Sequence, residues 1–374
     1  MNKSTTWLLA TVFSGAACIA AAQGSKPPLV NQTFKNDDGG WVSSGIAAKL
    51  AVSHDPGIAE PTAGALKFNY TVAKGDLNVM YLPVPLGSWT AAKSIKFRVR
   101  TDSQTMLAIA LQEQDGGRYV AMIQAPKDRW QSVELSTSDF ILAQEKDDPK
   151  DPDGKLDMDR VAGIAISDMS QFLVATDNAM LQELFGVTKG SHAMYIDSFT
   201  VGVDVLPAGS ASIGTDVQLE TFVHPQLAWI GLGGMRMSQS SGLPLVGPAL
   251  KADYHIAPGK VALITKQLPT WILTGSKVLS FDIACTQPSH FIVQLEQYDG
   301  GKYNMMIETP GGSIPQHKKL LLSGFARGDD STDKDTKLHL ALIKSFLIID
   351  ASGMIDQAEH DNTIWLNHIV ASTN

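Results

Sequence analysis

Hydrophobic and polar residues alternate from Leu107 to Pro126, apart from a break at Asp115-Gly116-Gly117. A period of two predicts β-strands, because successive side chains of a strand point to opposite faces of the sheet. A Gly-rich break between two alternating runs predicts a tight turn. This stretch therefore predicts a β-hairpin, with Ile109, Leu111, Tyr119 and Ile123 pointing inward.

The hairpin pattern returns in the second half of the chain, from Phe291 to Pro310. Asp115 matches Asp299 and Tyr119 matches Tyr303, each at a separation of 184 positions (299 minus 115). Further matches extend the repeat over most of the chain: Trp41 with Trp229, Ala65-Leu66-Lys67 with Ala249-Leu250-Lys251, Tyr70 with Tyr254, and Tyr195-Ile196-Asp197 with Trp365-Leu366-Asn367. An internal repeat of this extent predicts two copies of one domain.

Each copy is rich in β-branched and aromatic residues at period two, interrupted by Gly, Pro, Asp and Asn. This pattern predicts an all-β fold of two tandem β-sandwiches. We expect a first domain over residues 29–204, a linker over 205–216 and a second domain over 217–374. The best helical candidate is a two-turn stretch from Asn178 to Phe185.

The N-terminus predicts a secretory signal peptide over residues 1–22, because one basic residue precedes a short apolar run that ends in Ala20-Ala21-Ala22. The alternatives are a transmembrane anchor and lipidation at Cys18. Export predicts a periplasmic, cell-surface or extracellular protein. Cleavage leaves Cys285 as the one cysteine, on a strand, where we expect a buried thiol and no internal disulfide.

The charge balance limits the partners. The formal net charge is −8, and no dense Lys/Arg cluster occurs. This composition argues against nucleic acids and anionic membrane surfaces as ligands. After the first 22 residues no long apolar run follows, so we expect no membrane insertion of the mature chain.

Each half also carries an ordered set of core and turn residues. In the first half these are Leu111-x-x-x-Asp115-Gly116-x-x-Tyr119, Trp130-x-x-Val133, Ser138-Asp139-Phe140, Leu156-Asp157, Val161-x-x-Ile164-x-Ile166 and Tyr195-Ile196-Asp197. This order resembles the galactose-binding-like jelly rolls, and most closely the family 11-type carbohydrate-binding modules and the complex I intermediate-associated domain. The second copy departs from the pattern, with Pro315, Gly324 and Asn367 at the positions of Trp130, Asp139 and Asp197.

The resemblance implies a sugar chain on the polar face of a concave sheet, and often a structural calcium ion between the first and last strands. The calcium would implicate Asp197 together with Asp37 or Asp38. The acidic loop Asp147–Asp159 also contains an Asp-x-Asp-Gly fragment, but it lacks the bidentate Glu of a complete calcium loop. Its alternative interpretation is a solvated loop.

Alternation along the hairpin identifies the candidate ligand-binding side chains. The outward-facing set is Gln112, Gln114, Arg118 and Gln124 in the first copy, and Gln294, Glu296 and Asn304, with Lys302 and Glu308, in the second. Amides, carboxylates and cations in a row form paired hydrogen bonds with sugar hydroxyls. The alternative is an ordinary solvated face, since half-exposed antiparallel sheets alternate in the same way.

Six tryptophans outside the predicted signal peptide could stack on sugar rings. Most lie at strand starts or at repeated positions, where packing in the core is the usual role. Trp89 and Trp271 precede the repeated strand in loops, so we select them as the candidate platforms.

Motifs of catalysis are missing from the sequence. There is no Gly-x-Ser-x-Gly elbow, His-Glu-x-x-His, phosphate loop or dinucleotide fingerprint. We therefore expect an exported, non-catalytic protein that binds a polysaccharide or oligosaccharide through the concave sheet face of domain 1. The alternative is a structural or protein-interaction module that contacts another envelope protein without binding sugar.

Overall fold

A computed structural model describes residues 26–55, 57–58, 64–144, 148–176, 178–207, 209–213 and 216–374. The predicted signal peptide and Cys18 lie outside the described residues. Every helix within the described ranges is too short or too polar to span a bilayer.

Domain 1 is a jelly-roll β-sandwich of two antiparallel sheets. Its strands are β1 (Val30–Gln32), β2 (Val42–Ser44), β3 (Lys49–Ser53), β4 (Ala65–Val72), β5 (Val79–Pro83), β6 (Ser94–Thr101), β7 (Thr105–Glu113), β8 (Gly116–Ala125), β9 (Gln131–Ser136), β10 (Ile141–Leu142), β11 (Val161–Asp168) and β12 (Gly190–Gly202). One sheet has the order β3-β4-β12-β6-β9, with β1 paired to β12, and the other has the order β10-β8-β7-β11-β5-β2. From β4 to β9 the chain passes repeatedly from one sheet to the other, which closes a core between them.

Domain 2 repeats this architecture. Its strands are β13 (Ala211–Ile213), β14 (Asp216–Gln218), β15 (Ile230–Leu232), β16 (Arg236–Ser240), β17 (Ala249–Ile256), β18 (Ala262–Gln267), β19 (Val278–Cys285), β20 (Ser289–Gln297), β21 (Lys302–Thr309), β22 (Gln316–Leu321), β23 (Ala326–Arg327), β24 (Ile343–Asp350) and β25 (His360–Ser372). The sheet orders β16-β17-β25-β19-β22 and β15-β18-β24-β20-β21-β23 match domain 1 strand for strand. The predicted tandem duplication is therefore confirmed by topology.

Helices are few. They are α1 (Ser170–Ala175), α2 (Ala179–Leu184) and α3 (Ser352–Ile355), with single 3-10 turns at Thr137–Asp139, Leu322–Gly324 and Leu340–Leu342. Asn178 caps α2 by accepting a hydrogen bond from the Leu181 N–H at 3.0 Å. The helix predicted over this stretch is present.

Alternation along the hairpin places its apolar residues as predicted. Ile109, Leu111 and Ile123 are fully buried, and Tyr119 is almost fully buried. Each domain has its own apolar core between its two sheets. Cys285 is buried in the second core, as expected, and burial raises the pKa of its thiol.

Buried polar contacts are duplicated as well. The Tyr70 hydroxyl donates to Asp168 at 2.7 Å, and the Tyr254 hydroxyl donates to Asp350 at 2.7 Å. Burial and the adjacent carboxylate raise the pKa of each of these tyrosines well above the usual value. Both hydroxyls therefore stay protonated donors, and each bond joins one sheet to the other.

The segment between the domains is short and partly structured. β13 lies within the predicted linker, 205–216, and pairs with β14, which in turn pairs with β25. The connection therefore belongs in part to a sheet of domain 2.

The domains contact each other through a small apolar cluster. Ile230, Leu232 and Leu263 of domain 2 are buried there against domain 1. The domain 1 side of this cluster comprises Met106, Met122, Leu184 and Phe185. Hydrogen bonds between the domains lie beside this cluster, including one from the Gly233 N–H to the Leu184 carbonyl oxygen at 2.7 Å.

Candidate functional site

The predicted sugar-binding face of domain 1 is less polar than the sequence suggested. Gln112 donates to the Glu113 and Gly117 carbonyls, so its amide N–H groups stabilise the hairpin turn. Arg118 pairs with Asp148 at 3.2 Å, and Gln114 lies exposed in the turn. The remaining outward positions of β7 and β8 are small or apolar: Met106, Ala108, Ala110, Val120 and Met122.

Gln124 reaches the second domain. Its Oε1 accepts a hydrogen bond from the Gly231 N–H at 2.9 Å. Gly231 lies on β15, an edge strand of domain 2, and its neighbours Ile230 and Leu232 pack on Met122 of domain 1. Domain 2 therefore covers the Gln124 end of the predicted face.

The two candidate tryptophan platforms differ. Trp271 is 67% exposed, so its ring is accessible. Trp89 is 3% exposed and belongs to the core of domain 1, so it cannot offer a face to a sugar. The prediction of a platform at Trp89 is corrected: the ring packs in the core of domain 1, where a large aromatic side chain buries much apolar area.

The corresponding residues of domain 2 bind one another. Gln294 donates to Asn304 at 2.8 Å. Glu296 accepts from the Ser345 hydroxyl at 3.1 Å and lies 3.6 Å from the Lys344 ammonium group. These side chains do share one face, as predicted, and part of their hydrogen-bonding capacity is used within it.

The three predicted calcium ligands each bind other groups of the protein. Asp197 is fully buried and lies 3.5 Å from Arg98, whereas Asp37 and Asp38 accept hydrogen bonds from the Gly39 and Gly40 N–H groups in an exposed turn. Within the described ranges no three His, Cys, Asp or Glu side chains form a group suited to a metal ion. Structural calcium stays a prediction from the sequence.

A larger concave site lies where the two domains meet, beside the apolar contact. It is an open cleft of about 770 Å³, within the range of about 300–1,000 Å³ that is common for ligand sites. Its walls are Gln104, Gln124, Pro126, Lys127, Arg129, Trp130, Gln131 and Ser132 from domain 1, and Pro225, Leu227, Arg236, Met237, Ser238, Gln239 and Asp253 from domain 2.

Trp130 is the aromatic side chain of this cleft. It lies directly before β9 and is half-buried. The Arg98 guanidinium lies over its ring, 5.0 Å from the centroid, and Arg98 is itself anchored by Asp197. Because a cation over the ring restricts the orientation of Trp130, the indole is held in place at the cleft wall.

Four glutamine side-chain amides line the cleft, and in each of them either the nitrogen or the oxygen is hydrogen-bonded to the protein. Gln104 donates to Met235 O at 3.0 Å, Gln131 donates to Pro225 O at 2.9 Å, and Gln239 donates to His224 O. Each of these bonds leaves the amide oxygen able to accept. The Gln124 amide has the reverse arrangement, because its oxygen is engaged and its N–H groups can donate.

The cleft walls carry more positive than negative charge. In the described part of the chain, Arg129 and Arg236 form no ion pair, and Lys127 has only Asp128 nearby, at 4.0 Å. The single lining carboxylate, Asp253, is held by Lys251 at 3.0 Å and by the Thr363 hydroxyl at 2.7 Å. The cleft therefore presents cations, amides and one indole to a ligand.

A second, smaller cavity of about 70 Å³ lies between the domains, and its mainly apolar lining includes Asp139, Glu220 and Lys266. Glu220 accepts from Lys266 at 2.8 Å, from the Trp229 indole at 3.1 Å and from the Phe222 N–H at 2.8 Å. Asp139 lies 3.8 Å from His224, and burial raises the pKa of its carboxyl group. Glu220 and its partners all belong to domain 2, so the contact between Asp139 and His224 is the charged pair of this cavity that crosses between the domains.

One carboxyl pair has strongly separated pKa values. Burial, with the nearby Asp151 and Asp115, raises the pKa of Glu113 to about 7. Burial also acts to raise the pKa of Asp151, but the Tyr119 hydroxyl and backbone N–H groups donate to it and hold the pKa at about 2.

Such a separation occurs in acid–base catalysts, but here it has a structural origin. Glu113 is 4% exposed and accepts from the Asp157 N–H. In domain 2, Gln297 occupies the matching position and accepts from the His339 N–H. The Gln297 amide therefore does in domain 2 what the Glu113 carboxyl group does in domain 1. Each accepts a backbone N–H from the loop that precedes the next strand and so connects that loop to the hairpin.

The residue that sequence reasoning undervalued is Trp130. The core tryptophan Trp41 is duplicated as Trp229, whereas the position of Trp130 holds Pro315 in the second copy. A large ring required by the core would be matched by a large apolar side chain in the other copy, as Trp41 is by Trp229, and proline is too small for that role. The missing counterpart was therefore a signal for an exposed role.

Among known proteins, similarity to this chain is found only in solved structures. No protein-family model and no curated protein matches the chain. A family 11 carbohydrate-binding module from Clostridium thermocellum, solved with a β-1,3-1,4-mixed-linked tetrasaccharide, is 18% identical over 44% of this chain and 97% of the module, with a TM-score of 0.35.

A tandem module shows the same two-domain extent. The CBM22-1–CBM22-2 domain of Paenibacillus barcinonensis Xyn10C is 13% identical over 93% of this chain and 98% of its own, with a TM-score of 0.31. An agarase is 12% identical over 43% of this chain and 25% of its own, with a TM-score of 0.33. Similarity at these levels leaves the ligand open, and the chain is similar to carbohydrate-binding modules of the type that its sequence pattern resembles.

Proposed function

We propose that this protein is an exported, non-catalytic carbohydrate-binding protein whose binding site is the cleft between its two domains. The observation that carries the proposal is the position of Trp130, held by Arg98 at the wall of a 770 Å³ cleft lined by glutamine amides. Stacking on an indole and hydrogen bonds from amides are the two contacts that a sugar ring requires.

The geometry of the cleft is compatible with a chain of sugars. The cleft is open and is lined by residues of the edge strands β9 and β16, so it can accept a polymer as well as a small molecule. Gln104 and Gln131 on one wall and Gln239 on the other can contact the two sides of one sugar chain. The cleft shares Gln124 with the hairpin face predicted from the sequence.

Affinity electrophoresis tests the proposal on gels that contain neutral or acidic polysaccharides, with the wild-type protein and Trp130→Ala run side by side. We expect retardation of the wild type on at least one polysaccharide, and a loss of most of that retardation in the variant. Trp271→Ala serves as the control, because its ring is exposed outside the cleft. No retardation across the panel, or equal retardation of both variants and the wild type, would contradict the cleft as the site.

A further inference from the structure

The internal domain contact is made by two different faces of one repeated fold. Domain 1 uses the outer face of β7 and β8, and domain 2 uses the outer face of β15 and β18. A contact between unlike faces is heterologous, so it leaves each domain with the face that its partner uses. Within the described residues, each domain therefore keeps one face, equivalent in position to the one its partner uses, outside the internal contact.

The unoccupied face of domain 1 consists of β2 and β5, the equivalents of β15 and β18. Val42 matches Ile230 and pairs with Tyr81, as Ile230 pairs with Thr265. Ile230 is 6% exposed under domain 1, whereas Val42 is 49% exposed. The apolar character of the position is retained, and the described residues leave about half of the Val42 side chain exposed.

The unoccupied face of domain 2 consists of β20 and β21, the equivalents of β7 and β8. Met306 matches Met122 of the internal contact and is 57% exposed. Beside it, α3 follows β24 as α1 follows β11 in domain 1, and its Met354 and Ile355 are also exposed. This side of domain 2 therefore exposes three large apolar side chains.

The polar contact of the interface also has a counterpart. Within the chain, the Gly231 N–H donates to Gln124 Oε1. The matching residues are Ser43, on the edge strand β2, and Glu308, whose carboxylate is 75% exposed. A carboxylate accepts a backbone N–H at least as well as an amide oxygen does.

We propose that these two faces bind each other between molecules, so that the β20–β21 face of one chain packs on the β2–β5 face of the next. The partner is a second copy of this protein, and the contact repeats the internal one. The second copy of the fold lacks an equivalent of α2, which supplies Leu184 and Phe185 to the internal contact. The contact between chains is therefore smaller and weaker than the internal contact, and assembly depends on protein concentration.

Sedimentation velocity of the purified protein, from about 1 µM to about 1 mM, tests the proposal. We expect the weight-average sedimentation coefficient to rise with concentration, and Val42→Glu or Met306→Glu to shift that rise to at least about tenfold higher concentration. The control is Leu321→Glu, an exposed leucine on β22 in the opposite sheet of domain 2. A monomer at every concentration, or association that neither face variant weakens, would overturn the proposal.

Cysteine pairing tests the head-to-tail geometry. A Val42→Cys variant mixed with a Met306→Cys variant is expected to form a disulfide-linked heterodimer under mild oxidation, because the matching residues Ile230 and Met122 belong to the same apolar contact within the chain. Each variant alone is expected to form far less dimer, because unlike faces meet. Efficient linkage between like cysteines, or none in the mixture at a concentration where the wild type associates, would refute the head-to-tail contact.

Discussion

The Arg98 guanidinium lies 5.0 Å from the centroid of the Trp130 ring. Arg98 projects from β6, an interior strand of its sheet, and Trp130 lies just before the edge strand β9. The contact therefore connects the orientation of a cleft side chain to the interior of a sheet. A platform that is fixed before the ligand arrives loses less entropy on binding.

Arg98→Ala should weaken glycan binding although Arg98 does not line the cleft. We expect a loss of roughly tenfold in affinity, since the ring of Trp130 loses the cation that orients it. Isothermal titration calorimetry measures the affinity, and Arg100→Ala, two residues along the same strand, is the control. Unchanged affinity in a folded Arg98→Ala protein would show that the ring is oriented without the arginine.

The internal apolar contact should determine how the domains unfold. Ile230→Asp places a carboxylate in the buried cluster and is expected to cost about 3 kcal/mol of interdomain stability. Differential scanning calorimetry should then show two separated transitions. Val42→Asp changes the matching exposed residue of domain 1, and at low protein concentration it should leave the unfolding profile unchanged. Equal effects of the two substitutions would argue against the contact.

Glu113 should make the stability of the protein depend on pH. Its pKa is raised from 4.5 to about 7 by folding, so the folded state retains a proton that the unfolded state loses. Its contribution to stability is fully present below pH 4.5 and is lost as the pH rises through 7.

Glu113→Gln should remove this dependence. At pH 8 we expect the variant to be about 2–3 kcal/mol more stable than the wild type, and at pH 4 the two should be similar. Urea unfolding over this pH range provides the measurement. Gln297→Glu is the matched reverse change and should introduce the same pH dependence into domain 2. If the difference in unfolding free energy between the wild type and Glu113→Gln did not change with pH, Glu113 would not be the source of the pH dependence.

The two tryptophans selected from the sequence should respond differently to removal. Trp89→Ala empties a buried site and should cost about 3–5 kcal/mol of unfolding free energy. Trp271→Ala should change stability by less than about 0.5 kcal/mol, because the ring is exposed. Chemical denaturation followed by circular dichroism distinguishes the two. Similar costs would be inconsistent with a buried Trp89.

The fold was predictable because its signals are local and repeated. Alternation places Ile109 and Leu111 in the core, and the constant offset between Tyr119 and Tyr303 predicts two copies of the same domain. The position of Trp89 was not predictable, since a loop has no periodicity and only its tertiary packing determines burial.

The cleft was not predictable for a related reason. It exists because the domains meet through contacts such as Gln124 with Gly231, which are 107 residues apart. No local pattern encodes the orientation of one sandwich on the other, so the residues of its two walls appear unrelated in the sequence. The replacement of Trp130 by Pro315 in the second copy was the available signal.

The most direct test of a cleft site is a crystal structure of the protein with the oligosaccharide that it binds most tightly in solution. We expect a sugar ring stacked on Trp130, with hydroxyl groups bonded to Gln131 on one wall and to Gln239 on the other. A ligand bound on the outer sheet face beside Gln112 and Arg118, with the cleft empty, would contradict the account.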